Sequence, residues 1–320
     1  MRKVALLAVF TLFFTMMLSA QTTENIKYGD FQQWIKRTIS ESAIIGGADK
    51  DLYEIGPKQH IVGNKAYSNL GGSPWATSNV YAKVAGVSKG SNAVFPDKRA
   101  EGNYCAKLST IMEHVKALGI INLDVLVSGS IYLGKMMEPV RNTKSPYSKL
   151  DMGVPFNKRP KYLEYDYKVY VPEGAKMIYS SGFGSKKVLE GRRNACEVFV
   201  LLQQRWEDSE GNIYAKRVGT GRERFYKSSE GWVNNHKLEI HYGNITKESY
   251  YKPYMNLVSS DRPYYSHNKK GEMKPVQEIG WADANATPTH MIMMFSAGCG
   301  TAYEGTIDQT IWIDNVALGY

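Results

Sequence analysis

Apolar and polar side chains alternate strictly in the middle of the chain, immediately after Pro160. One set consists of Leu163, Tyr165, Tyr167, Val169 and Val171, and the other consists of Glu164, Asp166, Lys168 and Tyr170. This period of two predicts a β-strand with one buried face, which Pro172 ends. Residues 151–160 predict a turn before that strand, because Gly153 tolerates any φ and two prolines restrict their neighbours.

Alternating or wholly apolar segments recur along the rest of the chain. Strands are predicted at residues 102–110, 123–127, 131–133, 195–206, 238–242, 289–296 and 310–318. The segments 123–127 and 131–133 could be two short strands or one bent strand. The 195–206 segment is apolar on both faces, which is typical of a central strand. Residues 208–212 then predict a hairpin turn.

Two segments have other patterns. Ile111, Val115 and Leu118 follow helical spacing, which predicts a short surface helix of about two turns. Residues 252–274 are rich in Tyr, Ser, Asn, Lys and Pro. They predict a long loop at the rim of a sheet, where binding residues are often found.

Composition agrees with the strand-like periodicity. The chain has 320 residues, is 43% hydrophobic, and contains 22 tyrosines and 6 tryptophans. Because aromatic residues favour strands, we predict an all-β, mostly antiparallel protein with many short strands and long rim loops. No linker interrupts residues 21–320, which predicts a single domain, although residues 21–70 could pack as a small subregion.

The amino terminus has the pattern of a secretory signal peptide over residues 1–20. Arg2 and Lys3 precede an apolar run at 4–18, and Ser19 and Ala20 offer a small-residue cleavage site. The run is short for a membrane span and no cysteine follows it, so we expect neither a spanning helix nor a lipid anchor. The expectation is an exported, soluble protein.

The charge pattern excludes one class of partner. The formal net charge is +9 and the pI is about 9.2. Arg2 and Lys3 belong to the signal segment, so their positive charges would be lost when that segment is cleaved. Basic and acidic residues are interspersed without a long cationic run, so nucleic acid is not the expected partner.

Three segments carry a family resemblance. Residues 153–160 with the strand that follows, the Trp75-x-Thr-x-Asn79 segment, and the closing strand at 310–318 resemble motifs of the putative carbohydrate metabolism domain (PCMD) family. Asn315 stands where that family usually has a second Asp. The resemblance implies a jelly-roll β-sandwich, related to galactose-binding-like modules, that handles glycans. It also implies a secreted protein of a saccharolytic Gram-negative bacterium, in the periplasm or outside the cell.

The segment at 26–34 is similar to the opening strand of galactose-binding-like modules, which supplies ligands to a structural calcium. Here Tyr28 stands in the place of an Asn, and Gln32 stands in the place of a Glu. Because calcium prefers charged oxygen ligands, we do not expect that site to be built on the usual carboxylate. An aromatic strand that closes the sandwich is the alternative.

Seven residues are candidate glycan ligands: Trp75, Asn79, Asn157, Lys158, Arg159, Tyr165 and Tyr167. Aromatic rings can stack on a pyranose, and planar donors can bond its hydroxyls or, for Lys158 and Arg159, an acidic sugar. The alternatives remain open: Trp75 could plug one end of the fold, the tyrosines could fill the core, and Arg159 could brace its turn.

Four acids are weak catalytic candidates: Glu164, Asp166, Glu197 and Glu239. A glycosidase needs two carboxyl groups roughly 5–10 Å apart. Glu164 and Asp166 would lie about 7 Å apart on one strand face. The alternative is that they form the solvated side of that strand.

No pattern predicts a metal or a cofactor. Cys105, Cys196 and Cys299 lack metal-ligand spacing and are expected to be buried, mostly unbridged side chains. The six histidines form no ligand pair at helical spacing, and nucleotide and nucleophile-elbow motifs are missing.

The sequence supports three functional hypotheses. The first is a protein that binds an oligo- or polysaccharide in a groove. The second is a glycoside hydrolase that uses a carboxylate pair on the same scaffold. The third is a structural or adhesive surface module, because a fold does not define a function. The oligomeric state stays open.

Overall fold

The computed structural model describes residues 22–117, 121–142, 144–182 and 185–320. The expected signal segment at 1–20 lies outside these residues. Within the described ranges the chain forms strands and short 3₁₀ turns, and no α-helix. No helical piece in those ranges is long and apolar enough to cross a membrane.

The strands follow one another along the whole described chain. In order they are β1 (Thr23–Asn25), β2 (Trp34–Ser40), β3 (Asp49–Ile55), β4 (Gln59–Val62), β5 (Trp75–Thr77), β6 (Val80–Val84), β7 (Val87–Ser91), β8 (Val94–Ala100), β9 (Asn103–Ala117), β10 (Ile121–Ser128), β11 (Ser130–Met136), β12 (Leu150–Met152), β13 (Val154–Pro155), β14 (Tyr162–Tyr170), β15 (Ile178–Tyr179), β16 (Lys187–Val188), β17 (Cys196–Glu207), β18 (Ile213–Phe225), β19 (Val233–Glu239), β20 (His241–Tyr242), β21 (Tyr264–His267), β22 (Met273–Trp281), β23 (His290–Ser296), β24 (Glu304–Gly305) and β25 (Thr310–Gly319). The 3₁₀ turns are Ala43–Ile45, Leu70–Gly72, Pro146–Lys149 and Pro253–Met255.

Two large sheets organise these strands. The first has seven strands, in the order β10-β9-β25-β14-β19, with β1 paired to β25 and β8 paired to β9. The second has ten strands, in the order β13-β23-β17-β18-β22-β21-β12-β11-β5, with β20 paired to β18. Pairing between described strands is antiparallel apart from β2–β4, β12–β21 and β18–β22.

The second sheet closes on itself. Ser130, Ile131 and Tyr132 of β11 pair with β23, although β11 also pairs with β12. The strands β23, β17, β18, β22, β21, β12 and β11 therefore form a closed ring. The expectation of an all-β, mostly antiparallel fold is confirmed. A plain two-sheet jelly-roll sandwich is not confirmed. Each sheet of such a sandwich has two free edges, whereas the pairing of β11 with β23 closes part of the second sheet into a ring.

Strand β17 faces two separate cores, as its two apolar faces predict. Val198 and Val200 belong to the main core between the two large sheets, together with Leu163 and Ile311. Phe199 and Leu201 point the other way and contact side chains of β11, β12 and β23. Because those strands lie around the ring, this second cluster fills its interior. The buried face predicted for β14 is confirmed by Leu163, Tyr165 and Val169.

The short helix expected from Ile111 and Val115 is wrong. Strand β9 runs through this segment to Ala117 and pairs with β10 from Ile121↔Ala117 to Ser128↔Thr110. Two turns of helix are only marginally stable, whereas the hairpin forms eight consecutive residue pairs with β10. Leu118, the third residue of the pattern, lies outside the described residues.

Strands β2, β3 and β4 form a separate three-stranded sheet near the amino terminus. Ile39 and Leu52 form a small cluster with Tyr81, while Ile55 at the end of β3 belongs to the main core. The arrangement joins this region to the rest of the protein. Its independence as a subregion stays a prediction.

Candidate functional site

A cleft of about 1330 Å³ lies where several ring strands end. Glu197 of β17 is opposite Arg224 of β18 on one side and Ser296 of β23 on the other. These positions form the floor of the cleft. Its walls come from the β6–β7 and β9–β10 hairpins and from loops at 253–264 and 298–304.

The floor carries a fixed cluster of three charges. Glu197 Oε1 accepts from Arg222 Nε at 3.1 Å and from Arg224 Nε at 2.5 Å, and Oε2 accepts from Arg222 Nη2 at 2.9 Å. The pairing of β17 with β18 explains why these three side chains lie together. Residues two apart share a face, so Glu197 and Phe199 on β17 face the same way as their partners Arg224 and Arg222 on β18.

Aromatic rings surround this cluster. The rings of Phe199 and Tyr264 stack with centroids 5.8 Å apart and an interplanar angle of 24°. The guanidinium of Arg222 lies 4.9 Å from the Phe199 ring, and that of Arg224 lies 4.6 Å from the Tyr254 ring. At these distances each ring can stabilise the neighbouring guanidinium by a cation–π interaction.

Burial and charge act in opposite directions on these groups. Burial alone would lower the pKa of Arg222 and Arg224, but the charge of Glu197 outweighs it and both pKa values lie above their ordinary range. Both side chains therefore remain cationic. Burial raises the pKa of Tyr264 to about 12, so its phenol stays neutral.

Two further carboxylates line the cleft. Glu113 lies 3.4 Å from Lys89 Nζ and 3.8 Å from Lys50 Nζ. Glu304 accepts from both terminal nitrogens of Arg192, at 2.8 and 2.7 Å. Burial would raise the pKa of Glu304, but Arg192 and the backbone of Thr301 hold it below its ordinary value. Each carboxylate in the cleft is thus held by a cation of the chain itself.

The structure places Trp75 and Asn79 in the core and not in the lining of the cleft. Trp75 is 0% exposed, its indole N–H donates to the Lys27 carbonyl at 2.9 Å, and its ring packs on Phe31 and Phe295. The Asn79 side chain is also buried. Its four polar contacts all go to backbone groups, of Tyr53, Ala93 and Val94.

The turn residues Asn157, Lys158 and Arg159 lie away from the cleft. Arg159 donates to the carbonyl oxygens of Ala284 and Ala286, which is the bracing role. Lys158 pairs with Glu24 at 2.7 Å on the surface, and Asn157 is exposed.

Tyr165 and Tyr167 also lie outside the lining of the cleft. Tyr165 is fully buried and donates to Glu223, which also contacts His236 Nε2 at 2.9 Å. Tyr167 packs on Phe225, with centroids 4.6 Å apart. Tyr165 fills the core, and Tyr167 is partly buried and packs against it.

Of the four candidate acids, only Glu197 lines the cleft. Glu164 lies 3.6 Å from Lys237, and Asp166 is buried against Arg99 at 2.7 Å. Strand β14 is irregular between Glu164 and Asp166, so they do not form the regular pair expected from the strand rise. Glu239 has a side chain that is 78% exposed.

Sequence reasoning missed Arg222, Arg224, Tyr254 and Tyr264. One signal for them was available: Glu197 lies within an apolar central strand, and a buried carboxylate requires a cationic partner. Arg222 and Arg224, two residues apart, are spaced to share a strand face. The rim loop predicted at 252–274 does contribute Tyr254 and Tyr264, although strand β21 forms within it.

Within the described ranges, no group of three or more His, Cys, Asp or Glu side chains is arranged to hold a metal ion. The three cysteines are free; Cys105 and Cys196 are buried, and Cys299 is half-buried in the wall of the cleft.

Fold and cleft together define an all-β protein with a charged, aromatic-lined cleft at the end of a closed ring of strands. Over residues 52–319 the sequence matches the model of the putative carbohydrate metabolism domain. The match spans most of the chain, and the protein belongs to this family.

Two solved structures are distantly similar to the chain. A putative glycoside hydrolase from Bacteroides thetaiotaomicron is 17% identical with a TM-score of 0.46, and the alignment covers 85% of this chain and 75% of that chain. A putative glycoside hydrolase from Bacteroides vulgatus is 13% identical with a TM-score of 0.41, covering 71% and 76%. These likenesses are too distant to inform on function. No curated protein matches the chain.

Proposed function

We propose that this protein binds an oligo- or polysaccharide in the cleft above Glu197, Arg222 and Arg224. The observation that carries the proposal is the combination of fixed hydrogen-bonding charges with aromatic rings in one large cavity. Membership of a carbohydrate metabolism family supports it.

The chemistry of the cleft suits a sugar chain. Pyranose rings have an apolar face that packs on aromatic side chains, here Tyr254 and Tyr264, and hydroxyls that bond to guanidinium and carboxylate groups. The cleft volume of about 1330 Å³ exceeds the roughly 300–1,000 Å³ of most small-molecule sites. That size favours several linked rings over one monosaccharide.

Glycoside hydrolysis is the second candidate, because Glu113, Glu197 and Glu304 all line the cleft. A glycosidase needs one carboxyl group that keeps a proton to donate and another that attacks or activates water. Both oxygens of Glu197 already accept from guanidiniums, and Glu304 is held in the same way by Arg192. This geometry favours binding.

The test is calorimetric titration of the mature protein with a panel of oligosaccharides, followed by product analysis of every ligand that binds. Replacing Tyr254 by Ala should weaken binding about threefold to tenfold, the value of one aromatic contact. Tyr250→Ala is the matched control, because Tyr250 stacks on His241 outside the cleft. Equal losses in both variants would contradict the cleft as the site, and released sugars would favour the hydrolase.

We also propose that the protein is exported, on the basis of the signal-like segment at 1–20. Amino-terminal sequencing of protein from the periplasm or medium should find a start near Gln21. An intact Met1 would contradict export by this route.

A further inference from the structure

We infer that the saccharide is acidic and that Arg222 and Arg224 bind its carboxylate or sulfate group. This inference rests on the proposed function, since it names the chemical class of ligand for the same cleft. It is carried by the charge balance of the floor.

The three charged side chains on the floor of the cleft have a net charge of +1. Two guanidiniums share the single carboxylate of Glu197, and the three side chains are 13%, 20% and 7% exposed for Arg222, Arg224 and Glu197. One arginine would neutralise Glu197. The second leaves a largely desolvated positive charge, which costs free energy unless an anion compensates it.

Arg222 and Arg224 have N–H groups that do not bond to Glu197. Arg222 uses Nε and Nη2 for that carboxylate, while Arg224 uses Nε. A guanidinium carries more N–H groups than these contacts consume, arranged in a planar fork that fits carboxylate and sulfate oxygens. A neutral hydroxyl would leave the excess charge uncompensated.

The walls do not supply the missing anion. Glu113 and Glu41 are matched by Lys89 and Lys50, and Glu304 is matched by Arg192. Lys149 also lines the cleft and adds a further positive charge. Cations in excess over carboxylates, enclosed by apolar walls, focus a positive potential on the cavity.

The experiment compares matched ligand pairs that differ only in the anionic group. One pair is an oligogalacturonate and its methyl ester, and the other is a sulfated oligosaccharide and its desulfated form. We expect the wild-type protein to bind at least one anionic member about tenfold to a hundredfold more tightly than its neutral partner, the value of one charge-assisted contact. Added salt should weaken only the anionic member.

Three variants locate the effect. Arg224→Gln makes the floor neutral while Arg222 still pairs with Glu197, so it should fold and lose the preference for the anion. Arg193→Gln removes an exposed arginine that lies outside the cleft and contacts Tyr226, and it should keep the preference. The double variant Glu197→Gln/Arg224→Gln restores one excess positive charge and should regain part of the preference for the anion.

The outcomes separate the two proposals. Equal binding of charged and neutral partners would overturn the acidic ligand and leave saccharide binding intact. A preference that survives Arg224→Gln would also overturn it, because the anion would then bind elsewhere. If no saccharide binds, both proposals fail.

Discussion

The guanidinium of Arg159 lies over the ring of Tyr242, with 4.0 Å between the guanidinium carbon and the ring centroid. The same guanidinium donates to the carbonyls of Ala284 and Ala286, and the Tyr242 hydroxyl donates to the Pro160 carbonyl at 2.7 Å. Arg159 therefore ties its turn to strand β20 and to the loop before β23.

Replacing Arg159 by Lys should lower stability without changing saccharide affinity. A lysine cannot bridge two carbonyls and stack on Tyr242 at once, so we expect a loss of about 1–3 kcal/mol in the free energy of unfolding. Urea denaturation measures the loss, and calorimetry on the folded protein measures affinity. Weaker binding at unchanged stability would restore Arg159 as a ligand contact.

Trp75→Ala should destabilise the protein by about 3–5 kcal/mol, because a fully buried indole is removed from between Phe31 and Phe295. Trp75→Phe keeps most of the volume and should cost less. Affinity per folded molecule should stay the same in both variants. A drop in affinity with little change in the urea midpoint would contradict the core role.

Buried Glu54 should make stability depend on pH. Arg37 pairs with both Glu54 and Glu138, and burial raises the pKa of Glu54 from 4.5 to about 8. A carboxyl with a raised folded pKa binds its proton more tightly in the folded state. Its stabilising contribution is complete below about pH 4.5 and is lost as the pH rises through about 8.

Glu54→Gln removes this titration and keeps a side chain that can bond to Arg37 and Thr77. The advantage of the wild-type protein over Glu54→Gln should therefore shrink between pH 5 and 8, as measured by urea unfolding at each pH. A difference that does not change with pH would show that Glu54 has an ordinary pKa when folded.

Cys299 should be the thiol that reacts first with an alkylating reagent. Cys105 and Cys196 are buried, whereas Cys299 is half-buried in the cleft, and burial raises its pKa above the ordinary value of 9.0. The reaction should accelerate above pH 9, because the thiolate is the reactive form. A bound saccharide should slow it, with Cys299→Ser as the unreactive control. Equal rates with and without a saturating saccharide would place the ligand elsewhere.

Sequence patterns located strands well where one side of a strand is buried. The alternation after Pro160 predicted β14 and its buried face, because burial on one side imposes a period of two. The same reasoning predicted β17 as a central strand. It went wrong at Ile111 and Val115, where pairing with β10 outweighed a short helical spacing.

Site residues were harder to predict, because a residue type shows what a side chain can do and not what it meets. Trp75 and Arg159 have the chemistry of sugar ligands, but their surroundings use that chemistry to fill a core and to brace a turn. Among the candidate acids, Glu197 lines the cleft because Arg222 and Arg224 lie beside it on the neighbouring strand.

The sequence by itself determined the all-β class, the strands with a clear alternating or wholly apolar pattern, and the family, because periodicity, composition and motifs are local properties of the chain. Only the tertiary structure decided that β11 pairs with β23 to close the ring, and that Glu197 meets two arginines beside Tyr254 and Tyr264. The physical reason is that strand pairing joins segments far apart in the chain, and the pairing register sets which side chains share a face.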